Sequence, residues 1–270
     1  YTAVLFGLSY ALQFVIILSG GLSWTYAEPL MIALMFLPGL LALPFLGRGE
    51  TGWRSVAWGI RRPRYLVYGA LLPAGMALLC IGAMGVLGWG TPAHFHLSGG
   101  QVVVEKGGFV LGKGVQGLAY FAANYGLSAL LFSVVNGLAA FGEELGWRGY
   151  LQDRLVRRYG KGGGITLLGL VWGFWHFPLI LIGYNYPELP VLGALVLFPL
   201  TTVCASFVLA WLTTRAKSLW PAVLAHGSVN TFYGYIVSDV EYAVSPLGPE
   251  LLIVAGWGLV AMIVYRWIER

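Results

Sequence analysis

The residues able to do chemistry inside this chain fall into three short motifs: Phe141-Gly-Glu143-Glu144-Leu-Gly-Trp147-Arg148, Trp172-Gly-Phe-Trp175-His176, and His226-Gly-Ser-Val-Asn230. Each sits at or within an apolar run, where an isolated charge costs roughly 2.5–3.5 kcal/mol at the bilayer centre, so their presence implies a task. Carboxylates and imidazoles gathered in such a place can activate water, relay protons or hold a metal. On a helix Glu144 and Arg148 share a face and are expected to pair, whereas Glu143 is turned about 100° away and is expected to have no partner in its own helix. A buried carboxylate of that kind is poised to act as a base. His226 and Asn230 are also four apart, so both can present donors on one face. Trp147, Trp172 and Trp175 are read as the apolar lining of a substrate cavity.

The elements that must position these groups follow from composition. Of 270 residues, 58% are hydrophobic and 10% charged, with mean hydropathy +0.77, far from the roughly 25% charged content of an ordinary soluble domain. The fold class is all-α: a polytopic membrane protein, residues 1–270 forming one integral membrane domain. Taking about 20 apolar residues as one span, the chain reads as about eight transmembrane helices, over residues 3–24, 29–46, 65–89, 118–151, 165–183, 191–211, 219–236 and 251–267. Arg48, Arg61, Arg62, Arg154, Lys161, Arg215 and Arg270 then fall on one side, and Glu28, Glu105, Glu188 and Glu250 on the other. The positive-inside bias makes this a multi-pass protein of the cell membrane with both termini in the cytoplasm. It also accounts for the net charge of +5 without a nucleic-acid partner.

Counting inward from the basic ends at 1.5 Å per residue puts Glu143, His176 and His226 at one depth, roughly 13–17 Å. Three helices would thus bring their polar groups to a shared cavity opening to the cytoplasm. Glycines around the motifs suit close helix contact.

The remaining features carry less. Cys80 and Cys204 lie in apolar segments and read as small packed hydrophobes. The stretch 49–64, mixing tryptophans with arginines, reads as an interfacial amphipathic segment or as a basic loop. The outer loop 91–117 is expected to form a short hairpin around Gln101-Val-Val-Val104. His94 and His96 in that loop supply two ligands without a third and are read as surface residues. The cluster Gly160, Gly162, Gly163 and Gly164 reads as a turn, since no P-loop lysine accompanies it. The first apolar run lacks a basic n-region, so no cleavable signal peptide is expected.

Taken in order on successive helices, Glu143-Glu144-x-x-x-Arg148, an aromatic-x-x-x-His176 and His226-x-x-x-Asn230 resemble the signature of the CAAX protease and bacteriocin-processing (CPBP, or Abi) family of intramembrane proteases. The resemblance covers about 124–236, the motif-bearing core. It departs at Trp172, where the family pattern usually has Phe, a change expected to alter the cavity wall and the substrate rather than the chemistry. The resemblance implies an eight-helix protein similar to the prenyl-protein CAAX endopeptidase, with its cavity open to the cytoplasm. It further implies that Glu143 and His176 hold and activate a water, that Arg148 fixes Glu144, and that His226 and Asn230 stabilise the oxyanion.

The family has often been described as metalloproteases, and Glu143, Glu144, His176 and His226 would be the ligands of a zinc ion. The ligands are dispersed and His-Glu-x-x-His is missing, so a metal-free glutamate mechanism is favoured, with zinc kept as the alternative. The expected partners are membrane lipid and a peptide or protein substrate bearing a leader or lipid. A non-catalytic immunity or scaffold protein of the same fold, and a proton-coupled transporter, are the competing readings. Nothing in the residues indicates oligomeric state.

Overall fold

The computed structural model describes residues 1–47, 56–106, 112–234 and 240–269. Its helices are α1 (Thr2–Leu18), α2 (Ala27–Leu46), α3 (Arg64–Val86), α4 (Leu118–Gly146), α5 (Gln152–Trp175), α6 (Phe177–Leu181), α7 (Pro190–Leu192), α8 (Phe198–Ala216), α9 (Trp220–Phe232) and α10 (Leu247–Glu269). A π-helical turn, Trp147–Leu151, joins α4 to α5, and a second, Gly193–Leu197, joins α7 to α8. The protein is an all-α polytopic membrane protein. Among the described residues, five helical stretches are long and apolar enough to cross a bilayer: Ala27–Leu46, Arg64–Val86, Leu118–Trp175, Pro190–Ala216 and Leu247–Ile268.

The 58-residue stretch Leu118–Trp175 is more than one rod. Gly160 has φ 74° and ψ 170°, a conformation that favours glycine and interrupts the helix. A methyl group placed on Gly164 would lie 2.6 Å from the Leu155 backbone, although residues nine apart in a straight helix are about 13 Å apart. The chain therefore folds back at Gly160, and the expected turn falls there. The other differences from the expected boundaries have local causes. Helix α1 ends at Leu18 because Gly20 and Gly21 adopt φ 128° and 67°. Helix α5 ends at Trp175 rather than running on to 183, because Pro178 has no N–H with which to continue the ladder.

Helix α4 packs against α9 and α2, α5 against α8, α3 against α9, and α10 against α8. Several of these contacts are made backbone to backbone. A Cβ on Gly142 would meet Phe36 Cα at 2.5 Å, one on Gly146 would meet Pro38 at 2.5 Å, and one on Gly227 would meet the Ser133 carbonyl at 2.3 Å. In lipid no hydrophobic force draws helices together, so such close approach supplies the packing that fixes them. The two helices that carry Glu143 and His226 are thereby held at minimum separation.

The two ends of the bundle differ. At one end Arg62 donates to the Arg215 carbonyl at 2.7 Å, Lys161 to the Ile268 carbonyl at 2.7 Å, and Trp220 to the Trp58 carbonyl at 2.7 Å. The described part of the expected interfacial segment is thus pinned beneath α9, while 48–55, with Arg48 and Arg54, lie outside the described residues. The other end carries short strands: β1 (Gly90–Pro92), β2 (Phe95–Ser98), β3 (Gln101–Val104), β4 (Gly114–Gln116) and β5 (Val240–Tyr242). The expected hairpin is β2 and β3, turning at Gly99-Gly100 with Ser98 opposite Gln101, and β4 adds to its edge. Strand β1 pairs with β5. His96 lies 3.7 Å from Glu105 with both side chains about half exposed, as expected of a surface residue, whereas His94 is partly buried. Both cysteines are free.

Candidate active site

Helix α4 places its two carboxylates where the π-turn begins, and both are buried, Glu143 at 2% exposure and Glu144 at 0%. They have different partners. Glu144 Oε1 accepts from Arg148 Nη1 at 2.8 Å and lies 2.8 Å from His226 Nδ1. Arg148 Nη2 donates onward to Ser206 Oγ on α8 at 3.2 Å. The expected pair is present, and it forms part of a relay tying α4 to α8 and α9. Because a carboxylate faces Nδ1, that nitrogen carries the His226 proton and Nε2 is left for other chemistry.

Glu143 was expected to lack a partner in its own helix, and the structure corrects this. Its Oε2 accepts the indole N–H of Trp147, one turn on, at 3.2 Å and that of Trp172, from α5, at 2.7 Å. No cation pairs with it among the described residues. Two N–H donors hold one oxygen, and Oε1 remains as the oxygen available to a ligand.

Trp172 is the centre of the arrangement. Besides its bond to Glu143, its ring lies 5.1 Å from the His226 ring and 6.4 Å from the His176 ring, centroid to centroid. The Arg148 guanidinium sits over it at 4.5 Å. Its backbone carbonyl is 3.0 Å from His176 Nδ1. A carbonyl can only accept, so Nδ1 is the protonated nitrogen of His176 and Nε2 presents a lone pair. Glu143, His176 and His226 therefore gather around one indole. Trp in place of Phe at this position is expected to alter the cavity wall and the substrate rather than the chemistry; in the structure its N–H is bonded to Glu143.

The tryptophans read as substrate lining are placed differently. Trp147, Trp172 and Trp175 are all buried, and Trp175 donates its N–H to Ser9 Oγ at 2.6 Å. An indole N–H in an apolar interior needs an acceptor, and these three find theirs inside the protein. Their N–H groups tie the site's helices together. His176 and Asn230 are the half-exposed members, and Asn230 makes no side-chain hydrogen bond among the described residues. The groups available to a ligand are thus Glu143 Oε1, Nε2 of both histidines, and the Asn230 amide.

Helix α1 contributes residues that no motif indicated. Where α5 stops at Trp175 its last carbonyls lose helical donors. Tyr10 donates to the Phe174 carbonyl at 2.7 Å and Gln13 to the Trp175 carbonyl at 2.9 Å, while Ser9 takes the Trp175 N–H. The available signal was periodicity: Ser9 and Gln13 are polar residues four apart in an otherwise apolar helix.

Among the described residues no three His, Cys, Asp or Glu side chains are grouped so as to hold a metal ion. Glu143 Oε2 and Glu144 Oε1 are already taken up by N–H donors. As arranged, the four candidate ligands do not make a zinc site.

Residues 108–232 match the family described as Rce1-like, type II CAAX prenyl endopeptidase Rce1-like. A stretch of 98 residues is 34% identical to CAAX prenyl protease 2 of Methanococcus maripaludis, covering 34% of this chain and 36% of that protein. The chain thus spans about a third of the length of the curated relative it matches.

Proposed function

We propose, because residues 108–232 match the Rce1-like CAAX endopeptidase family, that the chain is an intramembrane endopeptidase. Its substrate would be a peptide anchored in the bilayer by an apolar group and cut near the cytoplasmic face. A prenylated C-terminus is the form suggested by the relative's name, and a leader peptide or bacteriocin precursor would meet the same requirement. The proposal carries with it a cell-membrane location and cytoplasmic termini.

The observation that carries this reading is the division of labour between adjacent carboxylates, Glu144 tied to Arg148 and His226, and Glu143 held by two neutral indoles with one oxygen left over. In the proposed reaction a water lies between Glu143 Oε1 and His176 Nε2. Glu143 takes one of its protons as the water oxygen bonds to the scissile carbonyl carbon. The carbonyl oxygen becomes an oxyanion, met by the Asn230 amide and by His226. Donation from His226 Nε2 requires the doubly protonated ring, whose charge Glu144 balances through Nδ1. The tetrahedral intermediate then collapses, the C–N bond breaks, and the proton on Glu143 passes to the departing amine. Water is the only co-reactant.

The test is cleavage of a quenched peptide carrying an apolar anchor, by purified protein in vesicles. Glu143→Gln should abolish cleavage while leaving the protein folded. Cleavage that survives this substitution, or biological activity that does, would instead support the non-catalytic scaffold. Chelation paired with metal analysis separates the two mechanisms: activity persisting without bound zinc supports the glutamate route, and activity restored only by zinc rejects it.

A further inference from the structure

We infer that Trp172 is a positioning residue for the proposed peptide cleavage, orienting Glu143 through its indole N–H and His176 through its backbone carbonyl. The inference rests on the protease reading and adds to it a residue that the three motifs treat as a wall.

A free carboxylate rotates about its last bond, and either oxygen can then face a ligand. In Glu143 the 2.7 Å bond from Trp172 and the 3.2 Å bond from Trp147 both end on Oε2, so rotation would break two bonds at once. Burial makes that costly, because no bulk water waits to replace a lost donor; Trp172 is 5% exposed and Glu143 2%. Oε1 is consequently the oxygen aimed at the water. The same residue aims the second group as well, since His176 Nδ1 is bound to the Trp172 carbonyl at 3.0 Å, directing Nε2 outward. Both groups that would hold the water therefore take their direction from one residue.

The ring itself is fixed from a third side. Arg148 lies over its face at 4.5 Å while bonded to Glu144 and Ser206. The charged relay of α4, α8 and α9 thus sets the plane of the indole, and the indole sets the plane of Glu143. Phenylalanine in this place would keep the packing and the backbone carbonyl but lose the N–H.

Trp172→Phe is the first test, assayed with the anchored peptide. A hydrogen bond to a charged group is worth enough that kcat should fall about 10- to 100-fold. KM should stay within about twofold, since the bond orients the reacting group rather than the substrate. Trp147→Phe, which removes the longer bond, should cost less. Trp172→Phe at wild-type kcat, or a loss confined to KM, would overturn the role.

If Trp172→Phe does not fold, ultraviolet resonance Raman spectroscopy of Glu143→Gln against wild type tests the same contact. Exchanging the carboxylate for an amide should shift an indole N–H marker band toward weaker hydrogen bonding. An unshifted band in a chain that cleaves peptide overturns the positioning role alone. A shifted band in a wild-type chain that cleaves nothing overturns the protease reading, and the role with it, while the hydrogen bond stands.

Discussion

The level of the bundle that holds Glu143 and the strand-capped end of the molecule treat polar groups in opposite ways. Around Glu143 each charged side chain is bonded across helices at 2.7–3.2 Å, with almost no exposure. In the cap, His96 and Glu105 meet at 3.7 Å with side chains 48% and 57% exposed. Water shares the load in the cap and is excluded at the site. Polar identity is therefore exchangeable in the cap and tightly specified around Glu143.

Four substitutions grade this contrast. Arg148→Met should have the largest effect, because it leaves Glu144 buried without its cation, and breaking a buried pair typically costs about 3–5 kcal/mol. Thermal unfolding in detergent reads it, and an unchanged melting temperature would mean that the relay does not hold α4 to α8. Next comes Asn230→Ala, which on the proposed mechanism removes an oxyanion donor and slows turnover by about 100- to 1,000-fold. Its melting temperature should match the wild type; parallel loss of stability would recast Asn230 as packing.

Gly146→Val should be weaker, at about 1–3 kcal/mol of stability, the usual cost of forcing atoms into a packed contact. The side chain would be driven into Pro38; full tolerance would show that α2 can move off α4. His96→Ala should be smallest, within about 0.5 kcal/mol, as exposed ion pairs contribute little. A large loss there would erase the contrast between the two regions.

Much of the site was legible in the chain itself. Glu144 with Arg148 followed from a four-residue spacing and the cost of a lone charge in lipid, and the pair is present at 2.8 Å. The hairpin around Gln101 and the turn at Gly160 followed from alternation and glycine. What escaped was every contact made by a residue of mixed character. Tryptophan is counted as apolar in any hydropathy window, yet its N–H is a donor that burial obliges to find an acceptor. Hydropathy accordingly puts Trp147, Trp172 and Trp175 on a cavity wall and leaves Glu143 without a local partner. Ser9, Tyr10 and Gln13 escaped for a related reason: the carbonyls they serve exist only because α5 stops at Trp175.

Sequence alone settled which side chains must be kept from lipid, and on which helices, because burial cost and helical period act locally and can be counted along the chain. It took tertiary structure to decide which oxygen of Glu143 is held and which is offered. That choice depends on the Trp172 indole of α5 reaching Glu143 of α4, a contact between helices that no local period encodes.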